Sequence, residues 1–427
     1  MSVSDQTKED AYDIAGIAAV VQRQEAKKVA LQFPDSMLCD AECVTSAIQK
    51  QVDSDVNLYI LGDTTVCPCC VDTVAIEHVH ADLVVHFGDA CMSVVKDIPV
   101  YYAFECCPLD IDCLAEAVRS RYGGSAKTLY LAYDLAFAHC SDKMEEAIRA
   151  VCPHVVCGKV KHSQNLKEDE AFADNYIKVG TMYFPGKELS TEGILLFVGK
   201  DGIVTSNVSE NGNLYSILLD SGYSQAAVYS DYEIKMVNAN KFLMQRYVNI
   251  ERFESLNVIG IVVGTLSVNR YNEMVSRLMR LAEQHDQVAY PFLVGKLNVP
   301  KLANFPGIEG FVLIGCERSC FIDTHEYPFP IVTPYEYEIS LKEREWEAVY
   351  IHDYIKLLGE EAEEEEEAEE WSVREEENQI IAFQSTALDY VNQQHYHGLE
   401  QTGDVSTPAV LKKGKKGIAS CYEKELF

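Results

Sequence analysis

The sequence has no apolar run approaching the roughly 18 residues needed to cross a bilayer. Its opening stretch, Met1 to Ala11, lacks the apolar core of a signal peptide. A soluble, cytoplasmic protein with no membrane association is therefore expected. Basic residues are scarce, with 36 Lys and Arg against 67 Asp and Glu and a formal net charge of -31. Affinity for nucleic acid comes mainly from clustered cations that neutralise phosphates, so this balance argues against a nucleic-acid binder and favours a basic protein partner. No Gly-x-Gly-x-x-Gly segment opens a helix after a strand, which removes the usual signature of a dinucleotide site. No Cys-x-x-Cys pair repeats at zinc-ribbon spacing, which removes the simplest structural-zinc motif.

What is present is an ordinary globular composition, 48% hydrophobic and 24% charged over 427 residues. That length exceeds a single compact core, and three domains fit it best. A motif recurs along the chain, a short apolar strand ending in Gly. It occurs as Leu58-Tyr-Ile-Leu-Gly62, Leu83-Val-Val-His-Phe-Gly88, Ile194-Leu-Leu-Phe-Val-Gly199, Ile259-Gly-Ile-Val-Val-Gly264 and Phe311-Val-Leu-Ile-Gly315. Uninterrupted apolar runs suit strands buried on both faces, and they alternate here with helical patterns such as Tyr271 to Gln284. Parallel α/β sheets follow, with the Gly residues at the carboxyl edge where open α/β sheets bind ligands. The expected organisation is three α/β lobes, at about 1–105, 106–245 and 246–345, and a C-terminal extension over 346–427. Within that extension the run Glu360 to Glu377 repels itself and predicts a disordered or loosely helical segment. Lys412 to Lys416 form a small basic island that reads as a solvated tail.

Fifteen cysteines in a reducing compartment do not suggest a disulfide framework, so a cluster of them reads as metal-binding or redox-active. Cys69 and Cys70 follow the first Gly-ended strand, Cys91 follows the second, and Cys316 directly follows the strand in the third lobe. If the lobes face one another, these loops converge. Thiolates suit iron–sulfur clusters and zinc, and three ligands on a cubane leave one iron open. Ligands scattered over separate lobes are unusual for structural zinc. Cys67 and Cys69 are reserve ligands should the turn present them instead of Cys70. Cys320, one helical turn after Cys316, reads as a bystander, and Cys106-Cys107 as a pair near a lobe boundary. Cys39, Cys43, Cys113, Cys140, Cys152, Cys157 and Cys421 read as buried small hydrophobes.

Several segments carry a family likeness. Val29-Ala-Leu-Gln-Phe-Pro-Asp35, Ile60-Leu-Gly-Asp-Thr64 with Cys69-Cys70-Val-Asp72, Glu77-His78 and Val85-His-Phe-Gly-Asp-Ala-Cys91 resemble the diphthamide synthesis proteins. So do Gly260-Ile-Val-Val-Gly-Thr-Leu266, Val294-Gly-Lys-Leu-Asn298, Lys301-Leu-Ala-Asn-Phe-Pro306 and Ile331-Val-Thr-Pro-Tyr-Glu336, with Gly398-Leu-Glu400 and Gly417-Ile-Ala419 near the end. The paired Cys69-Cys70 followed by Val71-Asp72 looks like the second of the family's two eukaryotic members. The first member and archaeal relatives carry a middle-lobe Leu-Gly-Cys segment that this sequence does not show. A departure from the family is Val66-Cys67-Pro68, where a Tyr-Gly-Ser-like segment is usual.

The resemblance implies three Rossmann-like lobes around a central 4Fe-4S site, with Cys70, Cys91 and Cys316 as ligands. It implies an accessory subunit of a heterodimer that transfers a 3-amino-3-carboxypropyl group from S-adenosylmethionine to a histidine of elongation factor 2. The partner subunit would bind S-adenosylmethionine and do the chemistry, and this chain would support reduction of the partner's cluster. A small iron-binding electron carrier and its reductase would supply the electrons. The alternatives are that this chain itself cleaves S-adenosylmethionine, that it is a lyase like quinolinate synthase, or that it is a metal-free structural partner.

Overall fold

A computed structural model describes residues 11–62, 67–95, 98–166, 175–186, 189, 193–200, 212–222, 226–237, 239–295, 297–322, 327–346, 350–359, 417–418 and 421–422. The glutamate run, the basic island and the Gly398 segment lie outside the described residues. The chain divides into two units, Met1–Glu365 and Glu366–Phe427.

In the first unit the elements run α1 (Ile14–Gln24), β1 (Lys28–Gln32), α2 (Ala41–Gln51), β2 (Asn57–Leu61), α3 (Thr73–Val79), β3 (Leu83–Phe87) and β4 (Val100–Ala103). They continue with α4 (Ile111–Tyr122), β5 (Leu129–Tyr133), α5 (Ser141–Arg149), β6 (Val155–Cys157), β7 (Ser163–Gln164), β8 (Tyr176–Val179), β9 (Met182–Pro185) and β10 (Ile194–Val198). Next come α6 (Gly212–Ser221), β11 (Ala226–Ser230), β12 (Glu233–Val237), α7 (Ala239–Glu254), β13 (Val258–Val263), α8 (Tyr271–Gln284) and β14 (Val288–Leu293). Last are α9 (Val299–Ala303), β15 (Gly310–Ile314), β16 (Ile331–Val332), α10 (Pro334–Ser340) and α11 (Tyr354–Leu358). The second unit contributes a small antiparallel pair, β17 (Gly417–Ile418) and β18 (Cys421–Tyr422).

The three main sheets share one plan. Their orders are β2-β1-β3-β4-β7, β12-β11-β10-β5-β6 and β14-β13-β15-β16. Within each, four parallel strands lie second-first-third-fourth, as β2-β1-β3-β4, β6-β5-β10-β11 and β14-β13-β15-β16. Antiparallel β7 and β12 are added at the edges of the first two. Strand order therefore reverses between β1 and β3, between β5 and β10, and between β13 and β15, and each reversal opens a crevice at the carboxyl edge. The central strands β3, β5 and β15 are buried at every residue. Strand β2 departs from the expected two-sided burial: it is a sheet edge, only Leu61 is buried, and Ile60 is 42% exposed. An apolar run alone does not distinguish a central strand from an edge.

Helix α8 shows why the periodicity was readable. Met274, Leu278, Leu281 and Ala282 recur at the i, i+4, i+7, i+8 spacing of one face, and all four are buried. Helix α10 starts with Pro334 after a Thr333 cap, and Glu336 completes a capping box. Glu336 is wholly buried and takes Arg246 of α7 in a two-pronged ion pair, one contact being 2.7 Å from Nε to Oε1. Among the described residues no helix is long and apolar enough to cross a membrane.

Candidate metal centre

Three loops at carboxyl edges meet. The loop after β2 carries Cys69 and Cys70, the loop after β3 carries Cys91, and the loop after β15 carries Cys316. Cys91 and Cys316 thus occupy equivalent places, after the third strand of their respective sheets. The matching place in the middle sheet, after β10, holds Gly199 and Lys200.

The Sγ atoms of Cys69, Cys70, Cys91 and Cys316 all lie within 4.8 Å of one another, and all four residues are buried. Cys69 and Cys316 are 3.6 Å apart, and Cys70 and Cys91 are 3.8 Å apart. The three residues predicted as ligands are therefore together, with Cys69, the alternative to Cys70, beside them. Cys67 touches the group from its half-buried side, 3.4 Å from Cys69.

Backbone turns and buried polar groups hold these loops. Gly88 follows β3 with φ of +79°, a left-handed conformation that favours glycine, and turns the chain towards Cys91. Cys91 then donates its N–H to the Cys69 carbonyl at 2.9 Å, coupling the first two loops. Gln32, at the end of β1 and 1% exposed, donates to the Cys70 carbonyl at 2.7 Å and accepts from the Asp72 N–H at 3.0 Å. Asp72 in turn caps α3 by accepting from the Ala75 N–H at 3.0 Å. From the third sheet, Ser267 donates its hydroxyl to the Val71 carbonyl.

The Cys316 loop is anchored separately. Tyr354 of α11, a buried residue, accepts from the Gly315 N–H at 3.0 Å and donates to the Gly315 carbonyl at 2.7 Å. Ser319 lies 3.1 Å from the Cys316 sulfur through its hydroxyl, and its N–H donates to that sulfur at 3.3 Å. Arg318 pairs with Asp89 of the β3 loop, and Glu317 takes Lys178 of β8 at 2.8 Å. The first and third sheets and the β8–β9 pair are thereby linked around the thiols.

Packing several buried thiols side by side leaves little room for more than one full negative charge. Hydrogen bonds from Cys69, Cys70 and Cys91 hold the Cys316 thiol well below its usual range, reinforced by Ser319. Cys69 and Cys70 are pushed up, chiefly because they share their protons with Cys316. A cation among these sulfurs would release those protons, as metal binding to thiols does. The donor set, four buried sulfurs joined by no carboxylate or imidazole among the described residues, fits a soft metal or an iron–sulfur centre. Arg318, beside Asp89 and close to Cys69, supplies a permanent positive charge that favours a thiolate-rich centre.

The other cysteines separate clearly. Cys320 is buried but its sulfur faces the Glu317 carbonyl at 3.6 Å and His352 Nδ1 at 4.0 Å, away from the four. Cys107 lines a different cavity of about 220 Å³ at the middle sheet's edge, with Phe137, Lys200 and Tyr229. Cys140, Cys152 and Cys157 are buried as expected, whereas Cys39, Cys43 and Cys113 are exposed. Those three sit on a short helical turn and on the outer faces of α2 and α4, so the general preference of cysteine for the interior is overridden by helix phase. The side chain of Cys421 lies outside the described residues. Gln32, Ser267, Arg318 and Tyr354 were not singled out from sequence. Gln32 alone carried a signal, an amide inside an otherwise apolar strand.

The family model of diphthamide synthesis proteins matches residues 33–351. The 2-(3-amino-3-carboxypropyl)histidine synthase subunit 2 of Danio rerio is 34% identical over 347 residues, covering 78% of this chain and 68% of that protein. The subunit 2 of Xenopus laevis is 30% identical over 451 residues, covering 97% of this chain and 92% of its own length. Among solved structures, Dph2 from Pyrococcus horikoshii superposes with a TM-score of 0.58 at 16% identity, over 80% of this chain and 93% of that one. A second structure of that protein, with a 4Fe-4S cluster, gives 0.57 over 79% and 93%.

Proposed function

The chain belongs to the diphthamide synthesis family, and from that membership we propose that it is the accessory, 4Fe-4S-bearing subunit of a 2-(3-amino-3-carboxypropyl)histidine synthase. Its complex would transfer a 3-amino-3-carboxypropyl group from S-adenosylmethionine to a histidine of elongation factor 2. The observation that carries the reading is the convergence of Cys70, Cys91 and Cys316, from two lobes and more than two hundred residues apart in sequence, in one buried group of sulfurs. In this reading lobes one and three, about 1–105 and 246–345, supply the ligands, and the middle lobe closes over them through the Lys178–Glu317 pair. When bound, the cluster supplies one-electron transfer.

The residues of the chain do the rest. Cys70, Cys91 and Cys316 would hold the cluster, with Cys69 packed beside them. Gln32, Ser267 and Tyr354 keep the ligand loops in place, and Arg318 balances negative charge. Catalysis on S-adenosylmethionine belongs to the partner subunit, and a small iron-binding carrier with its reductase delivers electrons in the cytoplasm. Support for the accessory role comes from the middle sheet, whose equivalent loop carries Gly199-Lys200 where the outer sheets carry cysteine.

The sulfur spacing favours a second reading, a single tetrahedral metal ion. Four thiolates at about 2.3 Å from zinc stand about 3.8 Å from each other, close to the 3.6 and 3.8 Å seen here. Against it stands the origin of the ligands in separate lobes, since structural zinc organises a local loop. Metal analysis of anaerobically prepared protein decides between the two: about four iron atoms per chain with the paramagnetic signature of a reduced cubane support the cluster, and one zinc per chain overturns it. To test the accessory role, the heterodimer carrying Cys70→Ala and Cys91→Ala is assayed with elongation factor 2. Turnover should fall sharply with a biological reductant and far less with a strong chemical one. Equal, complete loss in both, with the partner's cluster intact, would place the chemistry in this chain.

A further inference from the structure

Cys67 has no part in the ligand set assigned above, yet it lies against it. Its sulfur is 3.4 Å from Cys69, shorter than the Cys69–Cys316 separation of 3.6 Å and the Cys70–Cys91 separation of 3.8 Å. It is also the one thiol of the five that is only partly buried, so a small solute arriving from solvent meets it first. The backbone places the two residues in one turn, closed by the Cys70 N–H on the Cys67 carbonyl at 2.9 Å. Cys69 is an inner residue of that turn, two positions after Cys67, so their Cα atoms stand at most about 7 Å apart, and a disulfide spans Cα separations of about 4.4–6.8 Å. Pro68 between them restricts the backbone and limits the conformations in which the two sulfurs part.

We propose that Cys67 and Cys69 are a redox pair that forms a reversible disulfide when peroxide reaches the metal-free site. The pair spares Cys70, Cys91 and Cys316 for metal, a consequence that rests on the cluster reading above. The chemistry balances without any further reagent. The Cys67 thiol attacks one oxygen of hydrogen peroxide, giving a sulfenic acid and one water. The Cys69 thiol then attacks that sulfur, forming the S–S bond and releasing a second water. Two thiols lose two electrons, and the peroxide takes them. A dithiol reductant reverses the bond by exchange, with Cys67 attacked first as the more accessible sulfur. The competing pairs are more damaging. A Cys69–Cys316 bond would lock together two loops 247 residues apart and remove one ligand, and a Cys70–Cys91 bond would remove two.

The test uses the full-length chain, stripped of metal anaerobically with a chelator. It is treated with one equivalent of hydrogen peroxide, alkylated and digested with chymotrypsin, which cuts after Leu61 and Phe87 and so separates Cys91 from the other three cysteines of the loop. Fragment mass spectrometry then locates the bond. A parallel sample is reduced with dithiothreitol and reloaded with iron and sulfide. The expected result is a Cys67–Cys69 bond with Cys70, Cys91 and Cys316 alkylated, and iron uptake restored to that of untreated protein. Cys67→Ser and Cys67→Ala should instead be oxidised at the ligands and recover several-fold less iron. Alkylated Cys67 beside a Cys69–Cys316 or Cys70–Cys91 bond in the unsubstituted protein, or equal recovery in both variants, overturns the proposal. Reduced, untreated protein that takes up no iron defeats the cluster reading instead, while the mapping of the bond still decides the pair.

Discussion

Replacing Gln32 by Leu would test whether the thiol loop is held by the strand beneath it. The amide makes two buried hydrogen bonds, to the Cys70 carbonyl at 2.7 Å and from the Asp72 N–H at 3.0 Å. Leucine fills a similar volume but leaves both backbone groups without a partner, and each buried orphan costs about 1–3 kcal/mol. Allowing for the apolar burial that leucine gains, the closed loop should lose about 2–4 kcal/mol relative to its open form. At about 1.4 kcal/mol per factor of ten, that is a rise of about 30- to 1,000-fold in the population of open loop. The assay is release of metal from anaerobically prepared protein to a strong chelator, followed by the loss of visible absorption. Release limited by opening should accelerate by the same factor. Gln32→Glu separates the two bonds, because an ionised carboxylate still accepts from Asp72 but cannot donate to Cys70, so its effect should exceed that of leucine through repulsion with the carbonyl. A change of less than threefold for Gln32→Leu would show that the loop does not depend on this amide, and that Ser267 and the Cys69–Cys91 backbone bond suffice.

Iron analysis of single alanine variants should show most of the metal lost from Cys70→Ala and Cys316→Ala and retained in Cys69→Ala; loss from Cys69→Ala with retention in Cys70→Ala would exchange their roles. His86, wholly buried beside the ligand loops, is pushed down to about 4 by desolvation. Its folded pKa lies below the unfolded value near 6.5, so the unfolded chain binds the extra proton between those limits, and stability is lost as pH falls from about 6.5 to 4, by about 3 kcal/mol in all. Equilibrium unfolding of His86→Leu should lack that component, and an identical acid profile for both proteins would refute the assignment. Arg246→Met should destabilise the chain by about 3–5 kcal/mol by stranding the buried Glu336 carboxylate, while Arg246→Met with Glu336→Leu should recover most of it. Thermal unfolding of the single and double variants measures the difference, and equal losses in both would show that the charge is not what matters.

How far the chain could be read in advance depended on whether a property is local. The strand-Gly motif and the period of Tyr271 to Gln284 are local, and the corresponding strands and α8 are present because side-chain alternation and helical phase follow from a few neighbouring residues. The placement of Cys91 and Cys316 just after strands was legible for the same reason. Parallel sheets followed from uninterrupted apolar runs, and the family followed from short segments spread along the chain.

Long-range contacts decided the remainder. Whether an apolar run lies in the middle or at the edge of a sheet depends on strand order, which is why Ile60 is exposed although its segment resembles those of β3 and β15. Helix phase against the core left Cys39, Cys43 and Cys113 in solvent although cysteine generally prefers the interior. The shared strand order of the three sheets, the pin formed by Gln32 and the anchoring of Gly315 by Tyr354 are visible only once distant segments are in contact. Sequence alone determined the kind of ligand on offer, soft thiols just beyond strand ends, because residue type and strand boundaries are local. Only the tertiary structure brought Cys69, Cys70, Cys91 and Cys316 within 4.8 Å and set Cys67 against them, because that juxtaposition depends on how two sheets face each other across more than two hundred residues.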